Sequence, residues 1–271
     1  MITSKLDGGL GNLLFEISAG YAHAKRINST FFLMEDDENY ETGYFSFVKN
    51  KISKEYAEKI VSSWTKYKDT VFSKIPVRKK EDFEVVKQGG FKYSPLPPRD
   101  NVILDGYFQS EKYFNDFENE IKNLFVFTES LKKRNLRKLN NLKKKKVGVH
   151  FRRYKYNHAI LPPMPWVYYD IAMKSFNSND YEFVLFSDDI DEVAKNMDMK
   201  RFNHLENETD VDDLFTLSQC DAIIMSNSTF SWWGSWLGKK KEKVIVPPFW
   251  CGIAGPQDLQ DLIPDRWDVL T

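Results

Sequence analysis

Residues 181–196 read YEFVLFSDDIDEVAKN, in which an apolar run ends at polar residues and apolar positions then recur at helical spacing. The same signals return in residues 213–231, DLFTLSQCDAIIMSNSTFS, where the apolar run AIIM lies between two helical patterns. Strands that are apolar throughout are typical of parallel sheets covered on both faces, and helices between them supply the crossover connections. This part of the chain therefore predicts a doubly wound parallel α/β sheet.

The same alternation continues on both sides of this segment. Strands are predicted at 147–151, 181–187, 221–226 and 244–247, and helices at 166–176, 190–197, 211–219 and 230–237. Residues 131–146, LKKRNLRKLNNLKKKK, are dense in Lys and Arg, which is typical of a solvated helix and linker. We therefore predict two domains, residues 1–145 and 146–271.

The amino-terminal part begins with a strand, a glycine turn and a helix. Residues 2–6 alternate, GGLGN at 8–12 interrupts them, and helical spacing follows up to Asn28. GGLGN is not the dinucleotide fingerprint, because Leu14 replaces its third glycine, and it is not a P-loop. A tight turn or the close approach of a ligand to the backbone explains the glycines. Further strands are predicted at 30–34 and 101–106, a helix from there to Leu124, and a mobile or helical excursion at 35–99.

The composition restricts the possible partners. The 271-residue chain balances 39 Lys and Arg against 39 Asp and Glu, which argues against nucleic acid or an anionic membrane as partner. Cys220 and Cys251 form neither a disulfide framework nor a paired metal-ligand spacing, as expected in a reducing compartment. The sequence shows no secretory leader and no apolar run of about 18 residues. We therefore expect a soluble, cytoplasmic protein with no membrane span.

Polar residues follow three of the predicted strands. Arg152 and Arg153 follow the first, Asp188 and Asp189 the second, and SNSTFS at 226–231 the third. Ligands of open parallel sheets bind at these carboxyl ends. A hydroxyl-rich helix start offers N–H donors to an anion, and Arg suits phosphate oxygens. The three strand ends predict a diphosphate site, with ordinary helix N-caps as the alternative. For Asp188 the alternatives are such a cap or an acceptor for a base such as guanine.

Seven blocks of the chain resemble, in order, the α-1,2-fucosyltransferases of glycosyltransferase family 11. They are GGLGNLLFEISAGYAHAKR (8–26), LDGYFQSEKYF (104–114), VGVHFRR (147–153), FVLFSDD (183–189), DLFTLSQCDAIIMSNSTFSWWGSWLG (213–238), VIVPPFW (244–250) and DLIPDRW (261–267). The resemblance implies a GT-B-like α/β fold, with two Rossmann-like domains, parallel sheets and a cleft between them. It also implies inverting transfer of L-fucose from GDP-fucose to a hydroxyl of a galactose-type or other glycan, with no metal or other cofactor.

Matched position by position, the resemblance implies residue roles. The amino-terminal domain would hold the acceptor and the carboxy-terminal domain the nucleotide sugar. Arg152 would be catalytic and hold the β-phosphate, and Asn12, the second catalytic residue, would face the sugar together with Gly9 and Gly11. The remaining donor-binding residues would be His150 and Asp188 at guanine, with Arg153, Ser226, Asn227, Ser228, Thr229, Phe230 and Ser231.

Two departures from the family pattern keep alternatives open. HxRRGDY reads HFRRYKY at 150–156, and GGLGNQLF reads GGLGNLLF. Another GDP-sugar donor, or a non-catalytic carbohydrate-binding protein on the same fold, are the alternatives. Asp210-Val211-Asp212 matches the DxD pattern with which GT-A enzymes hold a cation, or else caps a helix. No general base is identified among three nearby candidates, Asp7, Glu16 and His158.

The aromatic content of 15% predicts two roles. Trp232, Trp233 and Trp236 are predicted to pack behind the SNST turn. A second set is predicted to lie near the cleft and to stack on sugar rings or a base: Tyr107, Phe108, Tyr113, Phe114, Tyr154 and Tyr156.

Overall fold

A computed structural model of the chain describes residues 1–35, 64–79, 82–153 and 159–271. The described chain divides into two compact units. Unit 1 comprises Met1–Val126 and Asp258–Pro264, and unit 2 comprises Phe127–Gln257 and Asp265–Thr271. Within the described ranges, no helix combines the length and the apolar character needed to cross a membrane.

Unit 1 is built on a small parallel sheet and one long helix. Its strands are β1 (Ile2–Ser4), β2 (Leu33–Met34), β3 (Val77–Arg78), β4 (Glu84–Lys87) and β5 (Val102–Asp105), and its helices are α1 (Leu10–Arg26) and α2 (Glu118–Leu124). The central sheet has the order β1-β5-β4, and β2 pairs with β3, all in parallel. The predicted opening strand, glycine turn and helix are confirmed.

The excursion predicted at 35–99 differs from the structure in its described part. Residues 84–87 are extended and pair with β5, with Val85 opposite Ile103. Main-chain pairing with a neighbouring strand explains this difference, because the local sequence carries no clear strand pattern. Residues 36–63, 80 and 81 lie outside the described residues.

Unit 2 contains a six-stranded parallel sheet with helices between its strands. Its strands are β6 (Lys145–Phe151), β7 (Tyr181–Ser187), β8 (Phe202–Asn203), β9 (Ala222–Ile224), β10 (Lys243–Val246) and β11 (Asp268–Val269). Its helices are α3 (Glu129–Asn140), α4 (Trp166–Met173), α5 (Ile190–Asn196), α6 (Asp210–Gln219) and α7 (Thr229–Trp236). The order is β11-β10-β9-β6-β7-β8, with every pairing parallel, so the predicted doubly wound sheet is confirmed.

The boundary between the units lies at Phe127 rather than at residue 146. Helix α3, in a segment predicted as a solvated helix and linker, buries Leu131, Asn135 and Leu139 along one face. Asn135 donates from Nδ2 to Asp212 Oδ1 in α6 at 2.5 Å. Three buried positions at helical spacing therefore attach this lysine-rich helix to unit 2, although its other positions are charged.

The aromatic side chains follow one of the two predictions. Trp232, Trp233 and Trp236 are 0–5% exposed, which confirms their packing role behind the turn. The second prediction is wrong for Phe108, Tyr113 and Phe114, which are at most 1% exposed and belong to the core of unit 1. Edge-to-face contacts such as Phe108 on Tyr113, 5.2 Å between ring centroids, account for their burial. Tyr107 is half-buried, and Tyr154 and Tyr156 lie outside the described residues.

Candidate donor site

The strand order of unit 2 reverses between β6 and β9. From β6 the chain proceeds to β7 and β8 on one side, then returns to β9 on the other, with Val149 paired to Ile224. Open α/β sheets bind ligands beyond the carboxyl ends of the strands at such a reversal. Arg152 follows β6 and the segment 226–231 follows β9, so the structure brings the predicted guanidinium and the predicted turn to this position.

The two carboxylates after β7 serve different partners. Asp188 Oδ2 forms an ion pair with Arg152 Nη1 at 3.1 Å, and Asp188 Oδ1 accepts the backbone N–H of Arg153 at 2.8 Å. Asp189 Oδ1 accepts the backbone N–H of Glu192 at 3.1 Å and caps α5. The capping interpretation therefore describes Asp189, whereas Asp188 contacts the two arginines.

The guanidinium of Arg153 is directed into the protein. Its Nε donates to Glu192 Oε1 at 3.0 Å and its Nη1 to the carbonyl oxygen of Met164 at 2.7 Å. Its Cζ lies 3.9 Å from the centroid of the Trp166 ring, and the residue is 7% exposed. Arg153 thus differs from Arg152, whose side chain is 30% exposed, in being used for internal contacts.

Two fully buried residues fix the turn after β9. Asn227 Nδ2 donates to the carbonyl oxygens of Pro162 and Trp250, both at 2.9 Å. Ser226 Oγ lies 3.1 Å from Asn227 Oδ1. These contacts join three loop segments of unit 2, so both side chains support the backbone of the turn.

At the hydroxyl-rich start of α7, two serines are buried and two residues are half-buried. Ser228 is the N-cap and accepts the N–H of Phe230 at 3.3 Å, so the ordinary N-cap alternative holds for this residue. Ser231 is fully buried and donates to the carbonyl oxygen of Ser228 at 3.1 Å. Thr229 and Phe230 are half-buried and reach the surface. An anion at this helix start would meet backbone N–H groups and these two residues.

His150 lies near the end of β6 as a neutral imidazole. Burial, and to a lesser extent the charge of Arg152, lowers the pKa of His150 to about 3. Its Nδ1 is buried and has no hydrogen-bond partner in the described part of the chain, which is uncommon for a buried nitrogen. The ring lies 5.4 Å from the Phe230 ring, between centroids, so His150 connects the end of β6 with the start of α7.

The DxD pattern is part of the first turn of α6. Thr209 is the N-cap, and its hydroxyl donates to Asp212 Oδ2 at 2.7 Å. Asp212 is 1% exposed and also accepts from Arg134 Nη2 at 2.6 Å and from Asn135. The helix-start alternative therefore describes Asp210 and Asp212.

The glycine turn of unit 1 is a separate feature. Gly8 has φ +92°, and a Cβ there would lie 2.5 Å from Asn12 Nδ2, so this position requires glycine. Gly9 precedes α1 and Gly11 lies in its first turn, where the residue is buried. Asn12 is half-buried and accepts from Gln109 Nε2 at 3.2 Å. Gln109, which sequence reasoning did not select, thus orients the predicted sugar-facing amide.

Of the three general-base candidates, two are described. Glu16 is 1% exposed, and burial raises its pKa well above the ordinary value, although the Asp7 N–H donates to Glu16 Oε2 at 3.0 Å. The half-buried Asp7 accepts from the Tyr107 hydroxyl at 3.3 Å. Glu16 is therefore an internal acceptor for the turn, and His158 lies outside the described residues.

Comparison with known proteins assigns the family. The profile described as Glycosyl transferase family 11 matches residues 1–254. The chain belongs to glycosyltransferase family 11. It is similar to the O-antigen biosynthesis glycosyltransferase WbnK of Escherichia coli, with 26% identity over 90% of this chain and 93% of WbnK. It is also similar to an alpha-1,2-colitosyltransferase of Escherichia coli, with 25% identity over 92% and 91% of the two chains.

Among solved structures, fucosyltransferase NodZ from Bradyrhizobium is similar at 13% identity and a TM-score of 0.49, over 87% of this chain and 93% of NodZ. The resemblance to family 11 stated from the sequence is confirmed by the profile match. The two α/β units with parallel sheets confirm the GT-B-like fold class. Its family makes the chain a glycosyltransferase.

Asp213 of this family 11 protein is a titratable group that sequence reasoning missed. Asn207 Nδ2 donates to its Oδ1 at 2.8 Å. Burial, assisted by the nearby Asp210 and Asp212, raises the pKa of Asp213 to about 6. Sequence patterns show only a third acid near the start of a helix, so they carry no signal of this environment.

We expect Asp213→Asn to stabilise the protein above pH 6 and to have little effect at pH 4. A carboxyl whose pKa is raised by folding stabilises the folded state below its unfolded pKa of 3.8, and this contribution is lost as the pH rises through about 6. The difference in free energy of unfolding between variant and wild type should therefore grow by about 1–3 kcal/mol between pH 4 and pH 7.5.

Denaturant unfolding at both pH values measures this difference. A variant minus wild-type difference that is equal at pH 4 and pH 7.5 would contradict the raised pKa of Asp213.

Proposed function

We propose that this family 11 glycosyltransferase transfers L-fucose from GDP-fucose to a hydroxyl of a galactose-type or other glycan acceptor, with inversion and without a metal. The observation that carries the proposal is the position of Arg152 at the strand-order reversal, beside the strand that leads to the start of α7. In the proposed arrangement unit 2 binds the donor and unit 1 serves the acceptor. The sugar-facing roles of Asn12, Gly9 and Gly11 belong to the same proposal.

The chemistry of the transfer explains why these groups matter. Departure of GDP from the anomeric carbon leaves negative charge on its phosphate, and fixed cations and N–H donors stabilise that charge in the transition state. Arg152 supplies the cation, and the start of α7 supplies backbone N–H groups and the surface positions Thr229 and Phe230. The neutral His150, next to Phe230, offers a ring nitrogen to the nucleoside.

The metal-free part of the proposal is supported by what the acidic residues do. A cation bridging the diphosphate would need carboxylates at the nucleotide, as in the DxD pattern. Asp212 is instead saturated by Thr209, Arg134 and Asn135. Among the described residues, Asp188 pairs with Arg152 and Asp189 caps α5, so the proposal assigns the leaving phosphate to Arg152 and the helix start.

The donor sugar is tested with two candidates. The relative named alpha-1,2-colitosyltransferase makes GDP-colitose the second donor to test beside GDP-fucose. The glycine and acid expected after Arg153 are Tyr154 and Lys155 here, at positions outside the described residues.

A thermal-shift panel of GDP-, UDP- and dTDP-sugars tests the nucleotide. A ligand that binds only the folded state at a hundred times its Kd adds about 2.7 kcal/mol, or roughly 5–10 °C in the midpoint for a chain of this size. We expect GDP and GDP-fucose to raise the midpoint and the UDP- and dTDP-sugars to leave it unchanged. A chain that responds to none of the GDP compounds would contradict the proposal.

Turnover is tested separately, by incubating the protein with GDP-fucose and a galactoside and measuring released GDP. Release that depends on the acceptor and persists in EDTA supports metal-free transfer. Release that EDTA abolishes and Mg²⁺ restores would contradict the metal-free mechanism. GDP binding without release on any acceptor would favour a non-catalytic carbohydrate-binding protein on the same fold.

A further inference from the structure

We infer, on the basis of the proposed function, that Asp188 is a positioning residue for Arg152, which it holds toward the leaving diphosphate, and not a reader of guanine. Both carboxylate oxygens of Asp188 have partners in the protein. Oδ1 accepts the backbone N–H of Arg153 at 2.8 Å, and Oδ2 pairs with Arg152 Nη1 at 3.1 Å. The carboxylate therefore joins the main chain after β6 to the half-buried guanidinium of Arg152.

The main chain at this point is anchored by Arg153. The Arg153 side chain is 7% exposed, and its guanidinium binds Glu192 and the carbonyl oxygen of Met164 and lies against Trp166. Because this side chain is fixed from several directions, the backbone N–H that it places at Asp188 Oδ1 is fixed as well. Asp188 thus connects the fixed backbone of the buried Arg153 with the more exposed guanidinium of Arg152.

Strand register brings the three residues together. Phe151 and Ser187 are the last paired residues of β6 and β7, so Arg152 and Asp188 are the first residues after these strands. The side chains of Arg152 and Asp188 are 30% and 29% exposed. Ion pairs at such positions contribute little to stability, so the consequence of this pair is the orientation of the guanidinium.

Base recognition and arginine positioning make opposite demands on this carboxylate. Guanine would present its ring N–H and its exocyclic amine side by side to the two oxygens. Accepting them would weaken the contact of Oδ2 with Arg152, at the moment when the diphosphate requires that cation. The observed contacts favour the positioning role.

Calorimetric binding of GDP, GMP and IDP to Asp188→Asn tests the inference. GMP lacks the β-phosphate, and IDP lacks the exocyclic amine of guanine. We expect the variant to bind GDP and IDP about tenfold more weakly, by the same factor, because a charge-assisted contact is lost. GMP affinity should stay within about twofold, and kcat should fall about 10- to 100-fold because the guanidinium is misplaced, with the acceptor KM unchanged.

A double-mutant cycle with Arg152→Ala provides the second readout. Asp188→Asn should have no further effect on GDP affinity in the Arg152→Ala background, because its effect acts through that side chain. The exposed Asp191→Asn is the matched control and should bind all three nucleotides as wild type does. Asp188→Ser, which also removes the charge, repeats the measurement if the Asn variant does not fold.

Three results would overturn the inference. In the first, Asp188→Asn loses GMP and GDP affinity equally and no longer prefers GDP over IDP. In the second, Asp188→Asn binds GDP as tightly as wild type or more tightly. In the third, the effects of Asp188→Asn and Arg152→Ala on GDP affinity are additive. If wild type itself does not bind GDP, the proposed function fails together with the inference. If wild type binds GDP, the nucleotide affinities of the Asp188 variants decide whether Asp188 positions Arg152.

Discussion

Replacing Arg152 by alanine is expected to lower kcat by about 10²- to 10³-fold while the protein remains folded, because removing one fixed donor to a developing negative charge has effects of this size. The side chains of Arg152 and Asp188, which form an ion pair, are 30% and 29% exposed. An ion pair this close to solvent contributes little to the free energy of unfolding, so we expect the variant to fold. Released GDP per unit time, measured at saturating donor and acceptor, gives the rate. Near-normal turnover would refute the assignment of Arg152.

Two further variants serve as controls for Arg152→Ala. Arg152→Lys keeps the charge but loses the planar fork that binds phosphate in two places, so we expect partial activity between those of wild type and Arg152→Ala. Arg201→Ala removes a surface arginine of unit 2 that pairs with Asp170, away from the strand-order reversal. It is the matched control and should retain wild-type turnover.

Replacing Trp232 by alanine is expected to have the largest effect on stability, about 3–5 kcal/mol, because a large and fully buried side chain is removed. Its ring contacts Trp233 and Trp267 at centroid distances of 5.2 and 5.3 Å. Trp267 precedes β11, so the cavity would open between the helix that carries the SNST turn and the end of the chain. A fall in the thermal midpoint of about 6–20 °C is the expected measurement.

The conservative Trp232→Phe fills part of the same space and should cost clearly less than the alanine variant. Because α7 begins at the proposed phosphate turn, GDP affinity should also fall in Trp232→Ala at temperatures where the protein is still folded. A Trp232→Ala protein with an unchanged midpoint would show that the tryptophan cluster does not stabilise unit 2.

Local patterns in the sequence predicted four of the six strands of unit 2 and missed the two-residue strands β8 and β11. Apolar runs such as FVLF and AIIM predicted buried parallel strands, and polar residues directly after them identified the edge at which a ligand binds. The same patterns missed β4, whose pairing with β5 is a long-range contact. They also assigned α3 to a linker, because three buried positions are a weak signal among many charges.

The amino-acid sequence by itself determined which polar groups stand at the strand ends, because strand and helix periodicity locates those ends to within a few residues. Only the tertiary structure decided what each group does there. Arg152 and Arg153 are adjacent and chemically identical, yet one side chain is 30% exposed and the other is held by Glu192, Met164 and Trp166. The physical reason is that burial and hydrogen-bond partners depend on residues distant along the chain. Asp188 is 35 positions from the Arg153 amide that it binds, a contact that the pairing of β6 with β7 creates.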